Sequence, residues 1–101
     1  MQITMRADGK RAVARLSGRF DFSAHRDFRE AVEAALQNKE IEEVVIDLTD
    51  VDYADSSALG MLVILREKAA GVKKRLALTN PRGIVKQALE IAHFEKLFSI
   101  N

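Results

Sequence analysis

A short buried strand leads almost directly into a long apolar helix near the middle of this chain. The run Val44-Val45-Ile46-Asp47-Leu48 is nearly continuous in apolar residues, which is typical of a strand that is buried on both faces. An acidic turn follows, and a helical apolar pattern begins with Asp55-Ser56-Ser57-Ala58-Leu59-Gly60. Such strand–helix units predict an α/β fold, in which right-handed crossovers join parallel strands.

The rest of the chain supplies further strands and helices around this unit. Asp8-Gly9 lies between two alternating segments and predicts a hairpin. Ser23 is the predicted N-cap of a helix that ends near Asn38. We predict the order ββαβαβαβ and one domain over residues 1–101, with a mixed sheet of about four to five strands and helices packed against it. The predicted strands are Gln2–Arg6, Arg11–Ser17, Val44–Leu48, Arg75–Thr79 and Leu97–Ile100, and the later helices are Ser57–Ala70, with Gly71 as C-cap, and one opened by Asn80-Pro81.

Composition excludes several classes of function. The 101 residues include no cysteine and carry a formal net charge of +1, so there is no disulfide or thiolate metal site and no general attraction to nucleic acid or to anionic lipid. The N-terminus has no signal-peptide pattern, and no apolar run approaches membrane-spanning length. We therefore expect a cytoplasmic protein with no direct nucleic-acid binding and no membrane insertion.

Four aspartates around the central unit resemble a metal or phosphoryl site at first sight. Asp47, Asp50, Asp52 and Asp55 do not fit an EF-hand loop, because the positions that need glycine and glutamate hold other residues. Turn and cap chemistry explains most of them. The chain also lacks a Gly-x-Ser-x-Gly motif and a glycine-rich phosphate loop, and it has only two histidines. These absences predict a binding module with no cofactor and no catalytic residues, not an enzyme.

The central helix has apolar residues on more than one side. At 100° per residue, one side should face the sheet, and it comprises Ala58, Leu59, Leu62, Leu65 and Ala69. The opposite side comprises Ser57, Gly60, Met61, Ile64 and Lys68. Two interpretations of Ile64 are open: a neighbouring loop or helix buries it, or it belongs to an exposed apolar patch on which another protein docks.

The serines at the start of this helix also allow two interpretations. Helix N-termini present free backbone N–H groups and a partial positive charge. A serine there serves either as a simple cap or as a carrier of phosphate.

Five segments together resemble the anti-sigma factor antagonists of bacteria, which are built on the STAS domain. Gly18-Arg19-Phe20-Asp21 is similar to the family's Gly-x-Leu-Asp, and the segment from Val45 to Tyr53 is similar to its strand and acidic-aromatic turn. Asp55-Ser56-Ser57-Ala58-Leu59-Gly60 resembles the family's Asp-Ser-(Ser/Thr)-Gly-Leu-Gly signature, while Asn80-Pro81 and Leu97-Phe98 match its C-terminal pattern. The resemblance runs over nearly the whole chain.

The resemblance implies a phosphorylation cycle. In that cycle a partner kinase, often the anti-sigma factor itself, phosphorylates Ser56, and a metal-dependent serine phosphatase reverses the modification. The unphosphorylated form binds the anti-sigma factor and so releases a sigma factor. Ser57 is the second choice for the phosphorylated residue, on the grounds of cap geometry. The predicted partner-binding residues are Asp21, Asp55, Ser57, Gly60, Met61, Ile64 and Lys68.

Three positions depart from the family pattern, and two other functions compete. Ala58 and His93 replace family glycines, and Phe20 replaces a leucine as a predicted rim residue beside Asp21. One alternative is a STAS subunit that binds the ATPase of an ABC-type lipid transporter. Such a subunit should not need a phosphorylatable residue after the aspartate, so Ser56 favours signalling. The other alternative, a small hydrolase, lacks its triad.

Overall fold

The computed structural model describes residues 1–101 and contains five strands and three α-helices. Two single-turn 3₁₀ helices, Phe22–Ala24 and Phe94–Lys96, precede the first α-helix and the last strand. The predicted order ββαβαβαβ is confirmed. The elements are β1 Gln2–Asp8, β2 Arg11–Phe20, α1 His25–Gln37, β3 Glu43–Ala54, α2 Ser56–Gly71, β4 Arg75–Thr79, α3 Gly83–Ile91 and β5 Ser99–Ile100.

The sheet has the spatial order β1-β2-β3-β4-β5. β1 and β2 form an antiparallel hairpin, and every other neighbouring pair is parallel. The hairpin turn contains Gly9 with a φ of 63°, a conformation that glycine adopts without the steric cost of a Cβ. The predicted mixed sheet is therefore confirmed, and β3 lies at its centre.

β2 and β3 both run further than predicted. The acidic segment after Leu48 is not a turn, because β3 continues to Ala54 and pairs with β2 up to Phe20. The register shifts twice along this pair, between Arg15 and Ser17 and between Gly18 and Arg19, which is typical of β-bulges. Sheet pairing thus overrides the low strand propensity of the aspartates.

The helix ends differ from the prediction by one or a few residues. Ser23 is not an N-cap: it lies inside the first 3₁₀ turn, which Asp21 caps, and α1 begins at His25. α2 begins at Ser56, one residue earlier than predicted, and Gly71 is its last residue, with Val72 as C-cap. Asn80-Pro81 also precedes α3 without opening it, because Arg82 is the N-cap.

Three residues in the C-terminal half of the chain adopt the left-handed conformation without being glycine, and the first of them, Lys73, has a φ of 59°. Asn80 has a φ of 57° and His93 a φ of 58°. Asparagine tolerates this region comparatively well. His93 lies where the family commonly has glycine, immediately after the C-cap Ala92 of α3. The altered helix end that this substitution predicts is therefore a strained backbone position.

The main core lies between the sheet and the helices. Val44, Ile46 and Leu48 of β3 are almost fully buried there. A smaller cluster of Val13, Val45 and Ala77 lies in register across β2, β3 and β4 on the other face. The exclusion of apolar side chains from water on both faces explains the near-continuous apolar run of the central strand.

Phe20 is a core residue, and its predicted place at the rim is wrong. Its side chain is 1% exposed, and its ring centroid lies 5.1 Å from that of Phe28 on α1. The alternation of β2 accounts for this position, since Leu16 and Phe20 are buried whereas Arg15 and Arg19 are exposed.

None of the helices combines the length and the apolar character that crossing a membrane requires.

Candidate functional site at the start of α2

The loops that follow β2 and β3 meet at one edge of the sheet. These strands are parallel, so their carboxyl ends lie side by side. The backbone N–H of Asp55 donates a hydrogen bond to the carbonyl of Phe20 over 3.3 Å. This bond brings the loop of Asp21 next to the first turn of α2. The sequence-predicted residues Asp21, Asp55 and Ser56 are thus close together.

Asp55 caps α2. Its Oδ1 accepts a hydrogen bond from the backbone N–H of Ala58 over 2.9 Å, and its carbonyl accepts one from the N–H of Leu59. The N–H groups of Ser56 and Ser57 make no hydrogen bond within the protein. The helix start therefore combines one capped N–H with two free donors and the positive end of the helix dipole.

The two serines differ in exposure. Ser56 is the first residue of α2 and its side chain is exposed, whereas Ser57 is partly buried. The helix N-cap is filled by Asp55, so neither serine is needed for capping. This geometry rules out the simple-cap interpretation of the serines, because the capping role belongs to Asp55.

Asp21 has a structural task in the neighbouring loop. Its Oδ1 accepts hydrogen bonds from the backbone N–H and the hydroxyl of Ser23, and Oδ2 lies 3.6 Å from Nε of Arg19. The hydrogen bond from the Ser23 hydroxyl is the main reason why the pKa of Asp21 lies below its usual value. The guanidinium of Arg19 also lies 4.0 Å from the ring centroid of Tyr53. This loop is accordingly held in place beside the start of α2.

Two of the three aspartates of β3 have structural partners, and the third, Asp52, has none. Asp47 accepts hydrogen bonds from the backbone N–H and the hydroxyl of Thr49, and Asp50 forms a close ion pair with Arg15. No group of three His, Cys, Asp or Glu side chains is arranged to hold a metal ion. Asp47 and Asp50 therefore serve in a local hydrogen-bond pair and a surface ion pair of the sheet.

A contact stripe runs along the outer side of α2 and consists of Ser56, Gly60, Ile64 and Lys68. These residues recur at every fourth position, so they lie on one face of the helix. All four are exposed, and the side chain of Ile64 keeps 50% of its accessible surface. A beta carbon added at Gly60 would meet no atom within 4 Å. Ile64 is therefore exposed, and the interpretation that a neighbouring loop or helix buries it is wrong.

Met61 is not on this exposed face, and its predicted exposure is wrong. Its side chain is only 6% exposed because α1 packs beside α2 and covers it. The predicted sheet-facing side is otherwise correct, since Ala58, Leu62, Leu65 and Ala69 are buried and Leu59 packs against the core while partly buried. Helical spacing alone shows which residues share a face, but the place of a neighbouring helix decides how wide the covered face is.

Phe22 is an exposed aromatic side chain that the sequence-based prediction missed. It keeps 72% of its accessible surface and stacks on the imidazole of His25, with the ring centroids 6.0 Å apart. The sequence feature that could have indicated it is a large apolar residue directly after Asp21, in a loop. Phe22 extends the apolar surface from the Asp21 loop towards α1.

Replacing Asp55 by alanine tests the capping role. We expect Asp55→Ala to lower the free energy of unfolding by about 1 kcal/mol, because the N–H of Ala58 loses its partner. Asp52→Ala is the matched control, since Asp52 is exposed on β3 and has neither an ion pair nor a side-chain hydrogen bond. Asp52→Ala should change the free energy of unfolding by no more than about 0.5 kcal/mol. Equal losses in urea unfolding of the two variants would contradict the cap assignment.

The fold and the signature segment together define a STAS domain. The family model described as Mlab, STAS domain matches residues 3–99, and the chain belongs to this family. A STAS-domain containing protein of Pseudomonas aeruginosa strain UCBPP-PA14 is 43% identical over 95 residues, which cover 94% of this chain and 92% of that protein. The membership predicted from the signature segment is confirmed.

Solved anti-sigma factor antagonists share the fold. Unphosphorylated SpoIIAA has a TM-score of 0.83 at 18% identity, and the match covers 99% of this chain and 88% of that one. The phosphorylated form of SpoIIAA from Bacillus has a TM-score of 0.76 at 17% identity, covering 99% and 91%. An antagonist from Mycobacterium paratuberculosis has a TM-score of 0.87 at 18% identity, covering 98% and 83%. At these identities the likeness concerns the fold alone.

Proposed function

We propose that this protein is an anti-sigma factor antagonist controlled by phosphorylation of Ser56. The unphosphorylated form binds an anti-sigma factor that is also a serine kinase, and a sigma factor is thereby released. Phosphorylation by that kinase ends the binding, and a metal-dependent serine phosphatase restores it. The protein acts by binding and not by catalysis, and this cycle belongs in the bacterial cytoplasm.

The exposed hydroxyl of Ser56 beside two free backbone donors is the observation that carries this proposal. A phosphate adds about −1.5 to −2 charges at neutral pH. The N–H groups of Ser56 and Ser57 and the helix dipole favour such a charge at this position. Because the cap is provided by Asp55, modification of Ser56 need not disturb the helix. The same geometry favours Ser56 over the partly buried Ser57 as the phosphorylated residue.

The contact stripe supplies the surface that phosphorylation would control. Ser56 lies at one end of it, and Gly60 and Ile64 follow one and two turns later. A partner protein whose apolar surface covers Ile64 would also exclude water from the surroundings of Ser56. A doubly charged phosphate there would oppose binding through bulk and desolvation. Asp21 and Asp55 border the same edge and complete the proposed surface.

Gly60 offers a way to separate binding from stability. We expect Gly60→Ala to raise the free energy of unfolding by about 0.5–1 kcal/mol, because alanine favours a helix and its beta carbon meets no neighbour. Binding of the anti-sigma factor should weaken about 10-fold, since the added methyl group enters the space of a closely packed partner. Thermal unfolding and calorimetric titration measure the two effects.

Gly71→Ala is the control for this substitution. Gly71 is the last residue of the same helix, and a beta carbon there also meets no atom within 4 Å. It lies about 16 Å along the helix from Gly60, at a rise of about 1.5 Å per residue. The Gly71→Ala variant should bind the anti-sigma factor as tightly as the unchanged protein does. Equal binding by both variants would remove Gly60 from the contact surface.

The proposal as a whole is tested with Ser56→Ala and Ser56→Asp. Each purified variant is mixed with host lysate, and the retained proteins are identified by mass spectrometry. We expect Ser56→Ala to retain an anti-sigma factor with a kinase fold and Ser56→Asp to lose it. Retention of one ABC-type transporter ATPase by both variants would contradict the signalling function and favour the transporter subunit instead.

A further inference from the structure

A groove runs between α1 and α2, directly beside the contact stripe. Its floor is apolar and is formed by Phe28, Val32, Met61, Ile64 and Leu65. The cavity volume is about 40 Å³, far below the roughly 300–1,000 Å³ of sites that bind small molecules. The groove therefore suits one apolar side chain of a partner protein, and the flexible Met61 at its base can adapt to that side chain.

The polar residues around this floor are all basic. His25, Arg29 and Lys68 line the groove, and no acidic residue does. Lys68 forms an ion pair with Glu33 at the outer side, whereas Arg29 has no acidic partner within 4 Å. An occupant with carboxylates would complement this rim, and a basic occupant would be repelled.

Both walls of the groove are helices. Their backbone N–H and C=O groups are paired within each helix, so the walls offer no sheet edge to an extended peptide. A segment entering an apolar groove must then satisfy its own backbone groups. A helix does so, and it also presents apolar and acidic residues on one face at the required spacing.

We propose that this groove binds an acidic amphipathic helix of the anti-sigma factor. One apolar side chain of that helix inserts beside Met61 and Ile64, and a carboxylate of the helix pairs with Arg29, the rim cation that has no ion pair of its own. The groove shares Ile64 and Lys68 with the contact stripe, so the helix lies against the same surface that phosphorylated Ser56 would border. This inference rests on the proposed function and names the part of the partner that binds.

Two pairs of variants test the groove against matched exposed positions. Ile64→Asp is compared with Ile84→Asp, because both isoleucines lie on helices and are 50% and 60% exposed. Arg29→Glu is compared with Lys86→Glu, since both cations are exposed on helices and lack ion pairs, and Lys86 lies on α3. The probe is the purified anti-sigma factor retained by Ser56→Ala, titrated at low and at high salt.

We expect affinity to fall about 30-fold or more for Ile64→Asp, and about 10-fold for Arg29→Glu at low salt. The loss for Arg29→Glu should shrink at high salt. The α3 variants should stay within about twofold of the unchanged protein. Exchanging an acidic residue of the partner helix for lysine should restore binding to Arg29→Glu. Thermal unfolding confirms that each variant is folded.

The outcomes separate the groove from the proposed function. If no anti-sigma factor binds the unchanged protein, the proposed function fails, and the groove inference fails with it. If the factor binds and Ser56→Asp releases it, but the groove variants bind normally, only the groove inference is overturned. Equal losses for the groove variants and the α3 variants would also overturn it, because general charge effects would then explain the result.

Discussion

Phosphorylated protein is expected to bind the anti-sigma factor at least about 100-fold more weakly than the unmodified protein. Unfavourable charge at an interface costs several kcal/mol, and each 1.4 kcal/mol corresponds to about a factor of ten in affinity. The phosphate on Ser56 would be adjacent to the contact stripe, whose exposed Ile64 should lose water on binding. Ser56→Asp, with one negative charge, should show part of this loss. Calorimetric titration measures the affinities.

Two controls locate the effect at one hydroxyl. Ser56→Ala removes the site without adding charge and should bind as tightly as the unmodified protein. Ser57→Asp adds the same charge one residue later, at a partly buried position, and should weaken binding much less. A larger loss of affinity for Ser57→Asp than for Ser56→Asp would identify Ser57, and not Ser56, as the residue whose charge controls binding. Full binding by both aspartate variants would refute a charge-controlled contact at this helix start.

Replacing Phe20 by alanine is expected to lower the free energy of unfolding by about 3–5 kcal/mol. The ring is buried, packs against Phe28, and belongs to the main core. Folded domains are typically stable by only about 5–15 kcal/mol, so this variant should be marginally folded. Phe20→Leu, which restores the residue typical of the family, should lose less stability than Phe20→Ala, because it removes less buried apolar volume. Urea unfolding measures both changes.

Phe22→Ala is the matched control for Phe20→Ala. The same ring is removed two residues later, where the side chain is exposed and touches mainly His25. Its expected effect on the free energy of unfolding is within about 0.5 kcal/mol. If the two phenylalanine variants lost equal stability, Phe20 could not occupy the core position described here.

Helix and strand order followed from local patterns because each pattern reflects a local cause. The alternation in β2, the continuous apolar run of β3 and the spacing in α2 identified elements and faces that the structure confirms. Element ends were less predictable. β3 continues through Asp50 and Asp52 because pairing with β2 outweighs their low strand propensity. Ser23 does not cap α1 because a 3₁₀ turn capped by Asp21 precedes that helix, and Ala24 holds the N-cap position.

The sequence by itself determined the α/β class, the order of the elements and the placing of Ser56 at the start of a helix, because these depend on residue spacing along one segment. Only the tertiary structure decided that Met61 is buried beside α1 while Ile64 is exposed. It also decided that Asp21 and Asp55 lie together and that basic residues rim a groove between two helices. Such features depend on how separate segments pack against each other. Residue spacing within one segment predicts which of its residues share a face, but it does not predict which other segment covers that face.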